Sequence, residues 1–380
     1  MAENSQNTVL VVASLPDSLL HFRGHLLRSM VARGHKVFAT ASDNDPLEGS
    51  LTEFKPGLDQ MGVKFIPIPL ARASINPVSD LKTYVALQGL MKQLKPDVVF
   101  SYTIKPNIFG SLAASSCNVA RIFSLITGVS SGLRTEEEQI SRKGRLIASL
   151  YKIAMRRNDT VIFQNPDDLE LFHKLQIVTN QKTEIINGSG IDLSHYKPEP
   201  IPTLPIKFLL IARILADKGI REYVEAARIV QEKYPEAEFQ LLGPYDDQKN
   251  GISRDEVQNW EREGVISYLG SQKDVRPFLK HCSVFVLPSY REGTPRTILE
   301  AMATGRAIIT SDAPGCRQTV KSGFNGTLVP IKDPEALAKA MKLYCSDPER
   351  IKTQGKNSLT YVQKYDVEDV SKHLLTILGL

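Results

Sequence analysis

From one end to the other, the chain alternates between short runs of Val, Ile, Leu and Phe and longer stretches whose apolar residues lie three and four apart. Near-continuous apolar strands separated by helical periods indicate a parallel sheet buried on both faces, because a parallel connection needs a long crossover, usually a helix. The first cycle runs from an apolar stretch at residues 8–14, through a helical pattern at Leu19, Phe22, Leu26, Leu27 and Met30, to a second stretch at 36–41 after Gly34. Further strands are expected at 63–68, 98–102, 121–126, 160–164 and 183–186, with helices at 81–94 and 147–155 between them.

The alternation breaks once. Residues 196–205 carry four prolines in ten positions, which suits neither a helix interior nor a central strand. The expected organisation is an N-terminal domain at 1–195, a linker at 196–205, a C-terminal domain at 206–360, and a terminal helix at 361–380 able to pack back on the first domain. The second domain restarts the pattern, with strands at 208–211, 238–242, 265–269, 284–287 and 307–310 and helices at 220–233, 254–263, 275–281 and 295–303. The fold class is α/β: two Rossmann-like, doubly wound domains facing one another across a cleft, with a ligand expected at the carboxyl ends of the strands.

Composition narrows the functions open to such a fold. At 42% hydrophobic and 23% charged the chain is far from disorder. Lysine and arginine number 47 against 42 aspartates and glutamates, and a net charge of +5 is too weak a field for a dedicated nucleic-acid binder. The scattered Cys117, Cys282, Cys316 and Cys345 form no metal or redox spacing and read as reduced core thiols. With no basic leader and no run of about 18 apolar residues, the chain is expected in the cytoplasm, touching a membrane at most from its inner face.

The stretch richest in chemistry is 286–305. A strand ends at Pro288, a loop holds residues 289–293, and Thr294 before Pro295 has the arrangement of an N-cap and first helical residue. The open amides of such a helix attract phosphate. Glu292 lies just before the helix, and Glu300 lies inside it on the face of Arg296, four residues away. A capping loop with a solvated helical glutamate fits the same residues. Arg213 and Lys218 follow the first strand of the second domain and can either clamp a diphosphate or form a solvated face. Gly188-Ser-Gly-Ile-Asp192 is either a hinge turn or a backbone surface against a ligand.

Taken together, Glu292 and Glu300 with seven residues between them, Arg213, Lys218, residues 188–192 and Pro314-Gly-Cys resemble the retaining family-4 glycosyltransferases of the GT-B fold. Phe22-Arg-Gly24, residues 103–107, Thr127-Gly128, residues 164–168 and the stretch 294–303 resemble the subgroup that acts on undecaprenyl-diphosphate-linked saccharides. The resemblance implies that Arg213 and Lys218 hold a donor diphosphate and that Glu292 meets the transferred sugar near its reacting carbon. It also implies that Glu300 binds the ribose hydroxyls, beside Arg296, while the amides of Gly293 and Thr294 and the backbone at Gly188 and Gly190 help to hold the donor. Acceptor contacts fall on Arg23, Lys105, Asn107, Thr127 and Gly128. The glycine-rich loop that many relatives have after the first strand is replaced here by Ser14-Leu-Pro-Asp-Ser18, and a histidine common in the first-domain cleft has no counterpart.

The resemblance implies no cofactor or metal and a UDP-sugar as the donor substrate. Asp43-Asn-Asp45 has the outline of a metal-binding D-x-D pattern but precedes Pro46 and reads as a turn. Asp246-Asp247 reads as a loop, and His21 with His25 as one helical face. Residues 142–157 place six cations, Arg142, Lys143, Arg145, Lys152, Arg156 and Arg157, beside Leu146, Ile147, Leu150 and Ile153 without a single acid. Such a helix either lies on anionic lipid, which suits a polyprenyl-linked acceptor, or turns its apolar side to the core. The competing functions are a nucleotide-sugar epimerase of the same architecture and a silent nucleotide-sugar binder. An NAD dehydrogenase is disfavoured because no G-x-G-x-x-G follows an opening strand.

Overall fold

A computed structural model describes residues 6–42, 51–71, 76–129, 133, 141–202, 204–246 and 250–380. The chain divides into two compact units, Met1–Ser189 together with Glu368–Leu380, and Gly190–Val367. Asp43-Asn-Asp45 and Asp247 lie outside the described residues.

The first unit is built on seven parallel strands: β1 (Thr8–Val12), β2 (Lys36–Thr40), β3 (Lys64–Phe65), β4 (Val98–Tyr102), β5 (Arg121–Ile126), β6 (Thr160–Phe163) and β7 (Lys182–Ile185). Their order, β3-β2-β1-β4-β5-β6-β7, reverses direction between β1 and β4. The crossovers carry α1 (Pro16–Ala32), α2 (Leu51–Gln60), α3 (Pro77–Leu94), α4 (Ser111–Ser116), α5 (Arg142–Met155) and α6 (Pro166–Lys174). Strand alternation divides the apolar side chains between two faces. Val9, Val11, Val98 and Phe100 enter one cluster, whereas Leu10, Val12 and Val99 enter another. β3 is only two residues long where a six-residue strand was expected, the chain rejoining the sheet edge through a single bridge from Ser42 to Ile68.

In the second unit the strands are β8 (Lys207–Ile211), β9 (Glu238–Leu242), β10 (Ser267–Tyr268), β11 (Val284–Leu287), β12 (Ala307–Ser311) and β13 (Gly326–Val329). They form a parallel sheet in the order β10-β9-β8-β11-β12-β13, which reverses between β8 and β11. Around it lie α7 (Ile220–Gln231), α8 (Arg254–Arg262), α9 (Arg276–His281), α10 (Arg296–Ala303), α11 (Pro334–Ser346) and α12 (Pro348–Tyr361). One continuous core runs through this unit, from Phe208 stacked on Phe239 at 5.1 Å to Tyr344 and Tyr365. The proline-rich stretch falls inside this unit. Arg306, buried completely, donates to the carbonyls of Glu199 and Pro200 and pins the stretch down.

The last helix, α13 (Val367–Leu378), belongs almost entirely to the first unit. Val370, Leu374, Leu375 and Leu378 recur at helical spacing and join Val9, Val11 and Ile186 in one buried cluster. His25, half-buried on α1, bonds Ser371 of this helix at 3.1 Å, and His21 bonds Asp17 at 2.7 Å. All four cysteines are free. Burial pushes the thiols of Cys282 and Cys316 up to about 12, so neither offers a thiolate near neutral pH.

Candidate active site

A doubly wound sheet leaves a crevice where its strand order reverses, because the loops leaving the two adjacent strands turn to opposite faces. In the second unit those strands are β8 and β11, and the loops that leave them carry Arg213, Lys218 and Glu292. The β8 loop ends in a tight 3-10 turn, Ala216–Lys218, and passes into α7 through Gly219 at φ 71°. A Cβ at Gly219 would sit 2.1 Å from the carbonyl oxygen of Pro288, so the two loops pass too closely for a side chain at that position. Tyr290 N–H and Ser289 Oγ both donate to the Asp217 carbonyl, stitching the loops together. The Tyr290 hydroxyl donates to Glu222 Oε1 at 2.6 Å; burial and that carboxylate push the phenol well above its ordinary range, so it remains a donor.

Within this frame the charges come in pairs. Lys218 Nζ donates to Glu292 Oε1 at 2.6 Å, with both side chains mostly buried. Arg213 Nη1 donates to Asp246 Oδ2 at 2.6 Å, and here the carboxylate is buried while the guanidinium remains accessible. Asp246, expected only as a loop residue, is thus the counter-ion of Arg213. The β9–α8 loop that carries it is tied to the β8 loop by Ile214 N–H on the Pro244 carbonyl and Ala216 N–H on that of Asn250. Glu292 is fixed from behind by its own N–H on the Pro314 carbonyl. Gly315, at φ 79°, lies so close that a Cβ there would meet the Glu292 carbonyl oxygen at 2.2 Å.

The helix that follows starts one residue later than its sequence suggests. Pro295, which has no side-chain group to cap with, is the N-cap of α10, and Thr294 lies before it. The carbonyl of Pro295 accepts from the N–H of Ile298 and Leu299, which is the role of an N-cap carbonyl. Gly293 is buried and Thr294 half-buried in the approach to this end. On the helix, Glu300 is not solvated. It is 6% exposed, and its Oε1 accepts from the Tyr196 hydroxyl at 2.9 Å and from Arg296 Nε at 3.1 Å. Tyr196 was expected in the linker and is a site neighbour that sequence reading missed. Gly190 begins the turn leading to it, at φ 74°, while Gly188, at φ 65°, closes the first unit.

The first unit has its own reversal point, between β1 and β4, where hydroxyl groups meet. Ser14 Oγ lies 2.5 Å from Thr103 Oγ1, and Ser18 Oγ 2.9 Å from the Tyr102 hydroxyl. Thr103 adopts φ 72°, a conformation costly for a β-branched residue and found where a structure overdetermines it. Arg23 is buried on α1 with its guanidinium 5.1 Å from the Tyr102 ring centroid. Burial pushes the Tyr102 phenol up to about 12. Lys105 pairs with Asp80 at 2.6 Å. Asn107 is completely buried and donates to the Leu125 carbonyl, the position of a core residue rather than of a ligand contact. Thr127 and Gly128 follow β5 directly and are half-buried.

On α5, capped by Ser141 through the Gly144 amide, the buried residues are Gly144, Tyr151, Ala154 and Met155. Leu146 and Ile153 stay 50% exposed among exposed Arg142, Lys143, Arg145, Arg156 and Arg157 and the half-buried Lys152. Among the described residues no helix is long and apolar enough to cross a membrane, and no three His, Cys, Asp or Glu side chains converge to hold a metal ion.

Both units match known protein families. The description "Glycosyl transferase 4-like domain" covers residues 22–188, and "Glycosyl transferases group 1" covers residues 194–360. The chain is 29% identical, over 95% of both sequences, to the N,N'-diacetylbacillosaminyl-diphospho-undecaprenol alpha-1,3-N-acetylgalactosaminyltransferase of Campylobacter jejuni. It is 26% identical to the UDP-Gal:alpha-D-GlcNAc-diphosphoundecaprenol alpha-1,3-galactosyltransferase of Escherichia coli, over 81% of this chain and 80% of that one. Its fold is shared with the sucrose-phosphate synthase of Thermosynechococcus elongatus, at a TM-score of 0.80 and 20% identity over 97% of this chain and 98% of the other. It is shared equally with Anabaena HepE in complex with UDP and glucose, at 0.78 and 18% identity over 98% and 100%. Two parallel-sheet α/β units, each matched by a glycosyl transferase family, place the chain among group-transfer enzymes. The chain belongs to the glycosyltransferases and has the GT-B fold.

Proposed function

We propose that this glycosyltransferase moves a sugar, an N-acetylhexosamine, from a UDP-sugar to a polyprenyl-diphosphate-linked saccharide in surface polysaccharide or glycan assembly. The observation that carries the reading is the set of two cations, each held by an acid, on the loops around the β8/β11 reversal. As the bond from the anomeric carbon to the diphosphate breaks, negative charge grows on the departing oxygen. Cations fixed beforehand stabilise that charge without reorganising, an effect worth several kcal/mol. Arg213 suits a two-point grip on the diphosphate and Lys218 supplies a point charge.

The acid partners explain how such charges persist without a substrate. A mostly buried lysine with no counter-ion costs several kcal/mol, so Glu292 neutralises Lys218 until a diphosphate takes its place. Glu292 then faces the transferred sugar, with the amides of Gly293 and Thr294 beside it, and the backbone at Gly188 and Gly190 lies against the donor. Glu300 takes the ribose hydroxyls next to Arg296. The acceptor oxygen bonds to the anomeric carbon on the face the diphosphate leaves, and its proton passes to the departing oxygen. Configuration is retained, and neither glutamate has to act as the acid or nucleophile of a glycosidase. Protein cations supply the charge in this scheme, so turnover is expected to survive EDTA.

The acceptor reading draws on the names of the two bacterial relatives, both of which describe sugars on undecaprenyl diphosphate. Residues 1–195, with Arg23, Lys105, Thr127 and Gly128, would serve that substrate, and residues 206–360 the donor; Asn107 supports the acceptor loop from the core. The half-exposed Leu146 and Ile153 amid the cations of α5 suit peripheral attachment to the cytoplasmic face of the plasma membrane. The deciding experiment offers the protein a panel of nucleotide sugars and follows slow hydrolysis by mass spectrometry. A UDP-N-acetylhexosamine should be consumed first, and transfer to a polyprenyl-diphosphate sugar should retain configuration and persist in EDTA. An inverted product, or activity that EDTA abolishes and manganese restores, would overturn the mechanism. Release of an epimerised free sugar without acceptor would make the chain an epimerase.

A further inference from the structure

Glu300 is the more buried of the two glutamates in the candidate donor site, and what holds it comes from a distant part of the chain. The turn after Gly190 is locked by Asp192, whose Oδ1 accepts from the N–H groups of Ser194 and His195 and from Ser194 Oγ. Burial alone would raise the Asp192 carboxyl, but those hydrogen bonds outweigh it and hold the group below its ordinary range. The same turn receives the Tyr196 N–H on the Asp192 carbonyl, and His195 packs edge-on against the Tyr196 ring at 5.1 Å. The phenol is thereby aimed at α10 of the same unit, where its hydroxyl ends 2.9 Å from Glu300 Oε1.

Arg296 Nε reaches the same oxygen from one helical turn away. A carboxylate gripped at one oxygen by two donors from different elements cannot rotate about its last torsion, so the plane it presents to a ligand is fixed in advance. Burial and the Glu300 charge both push the Tyr196 phenol up, so the hydroxyl stays a donor throughout the working pH range. A buried tyrosine needs some partner for its hydroxyl, and here that partner is the acid which reads the ribose.

We propose that Tyr196 is a positioning residue for nucleotide recognition, fixing Glu300 so that the site prefers a ribonucleotide over its deoxy analogues. The proposal rests on the reading of Glu300 as the ribose contact. A site built to bond a hydroxyl discriminates strongly against a ligand that lacks it, provided the bonding group is held in register. Loosening the carboxylate should therefore cost more affinity for UDP than for 2'-deoxy-UDP or 3'-deoxy-UDP.

The test is calorimetric titration of the full chain with those three nucleotides in wild type, Tyr196→Phe and Glu300→Gln, with melting temperatures alongside. In Tyr196→Phe the preference for UDP over at least one analogue should shrink about three- to tenfold, and in Glu300→Gln it should shrink at least as far. If Glu300→Gln alters the preference and Tyr196→Phe does not, the positioning role is wrong although the ribose contact stands. Equal weakening for all three nucleotides in Tyr196→Phe marks a structural role and equally overturns it. If Glu300→Gln leaves both preferences unchanged, or the wild type does not bind UDP, the donor reading itself fails and this proposal falls with it. Because the Phe variant keeps the ring, a lowered melting temperature with an intact preference also counts against the proposal.

Discussion

The two sheets share one construction yet line their reversal points with different chemistry. At β8/β11 the loops bear full charges in tight pairs, Lys218 with Glu292 and Arg213 with Asp246. At β1/β4 hydroxyls meet, Ser14 with Thr103 and Ser18 with Tyr102, Arg23 lies over an aromatic ring, and the Lys105–Asp80 pair stands beside them. Charge suits a group that becomes more anionic during reaction, whereas neutral hydroxyls suit a saccharide whose own groups are neutral. The fold supplies the position and the loop residues supply the polarity. Under the proposed function, a division of labour between donor and acceptor would be written in side chains rather than in topology.

The contrast can be broken most forcefully at Lys218. Lys218→Ala should lower turnover more than tenfold with circular dichroism unchanged, and normal kinetics would remove this lysine from the site. Asp246→Asn keeps the shape but releases Arg213, and UDP affinity should fall roughly three- to tenfold by calorimetry. Thr103→Val removes a hydroxyl while keeping a β-branched side chain, so the acceptor KM should rise about threefold while acceptor-free donor hydrolysis is unaffected. If hydrolysis falls instead, the hydroxyl-lined end serves the donor and the contrast collapses. Reversing the charges of Arg142, Lys143, Arg156 and Arg157 should weaken flotation with anionic liposomes while neutral liposomes show little change.

The smallest effect concerns pH. Asp192 has a depressed carboxyl in the folded chain, so its contribution is present above the ordinary carboxylate range and is lost as pH falls through the folded value. Thermal melts of Asp192→Asn should therefore lie below wild type near neutrality, and the gap should close below pH ~4.

Much of this organisation could be read from the sequence, and the exceptions have physical causes. Alternating apolar runs give the two sheets because parallel strands must be buried on both faces. The loop with Glu292 and the cations at 213 and 218 stood out because residue type and strand end coincide. Which acid neutralises which cation was hidden, since Lys218 and Glu292 are 74 residues apart and Arg213 and Asp246 are 33 apart. Tyr196 was lost among prolines that read as a linker, although a buried arginine draws the stretch onto the second unit. β13 escaped notice because four residues, Gly326–Val329, follow a polar turn and carry little periodicity. Thr294 has the residue type of a cap, but Pro295 supplies the helix with its first acceptor carbonyl.

The return of α13 to the first sheet bears on the order in which the protein can mature. A ribosome delivers β1 long before Leu378, yet Val9 and Leu375 occupy one cluster. Four apolar side chains of that helix are worth about 6–12 kcal/mol when fully buried, comparable with the whole stability of an ordinary domain. The second unit is continuous in sequence and can settle as soon as it is synthesised, whereas its predecessor waits for α13. For this enzyme, the half made earliest is finished latest.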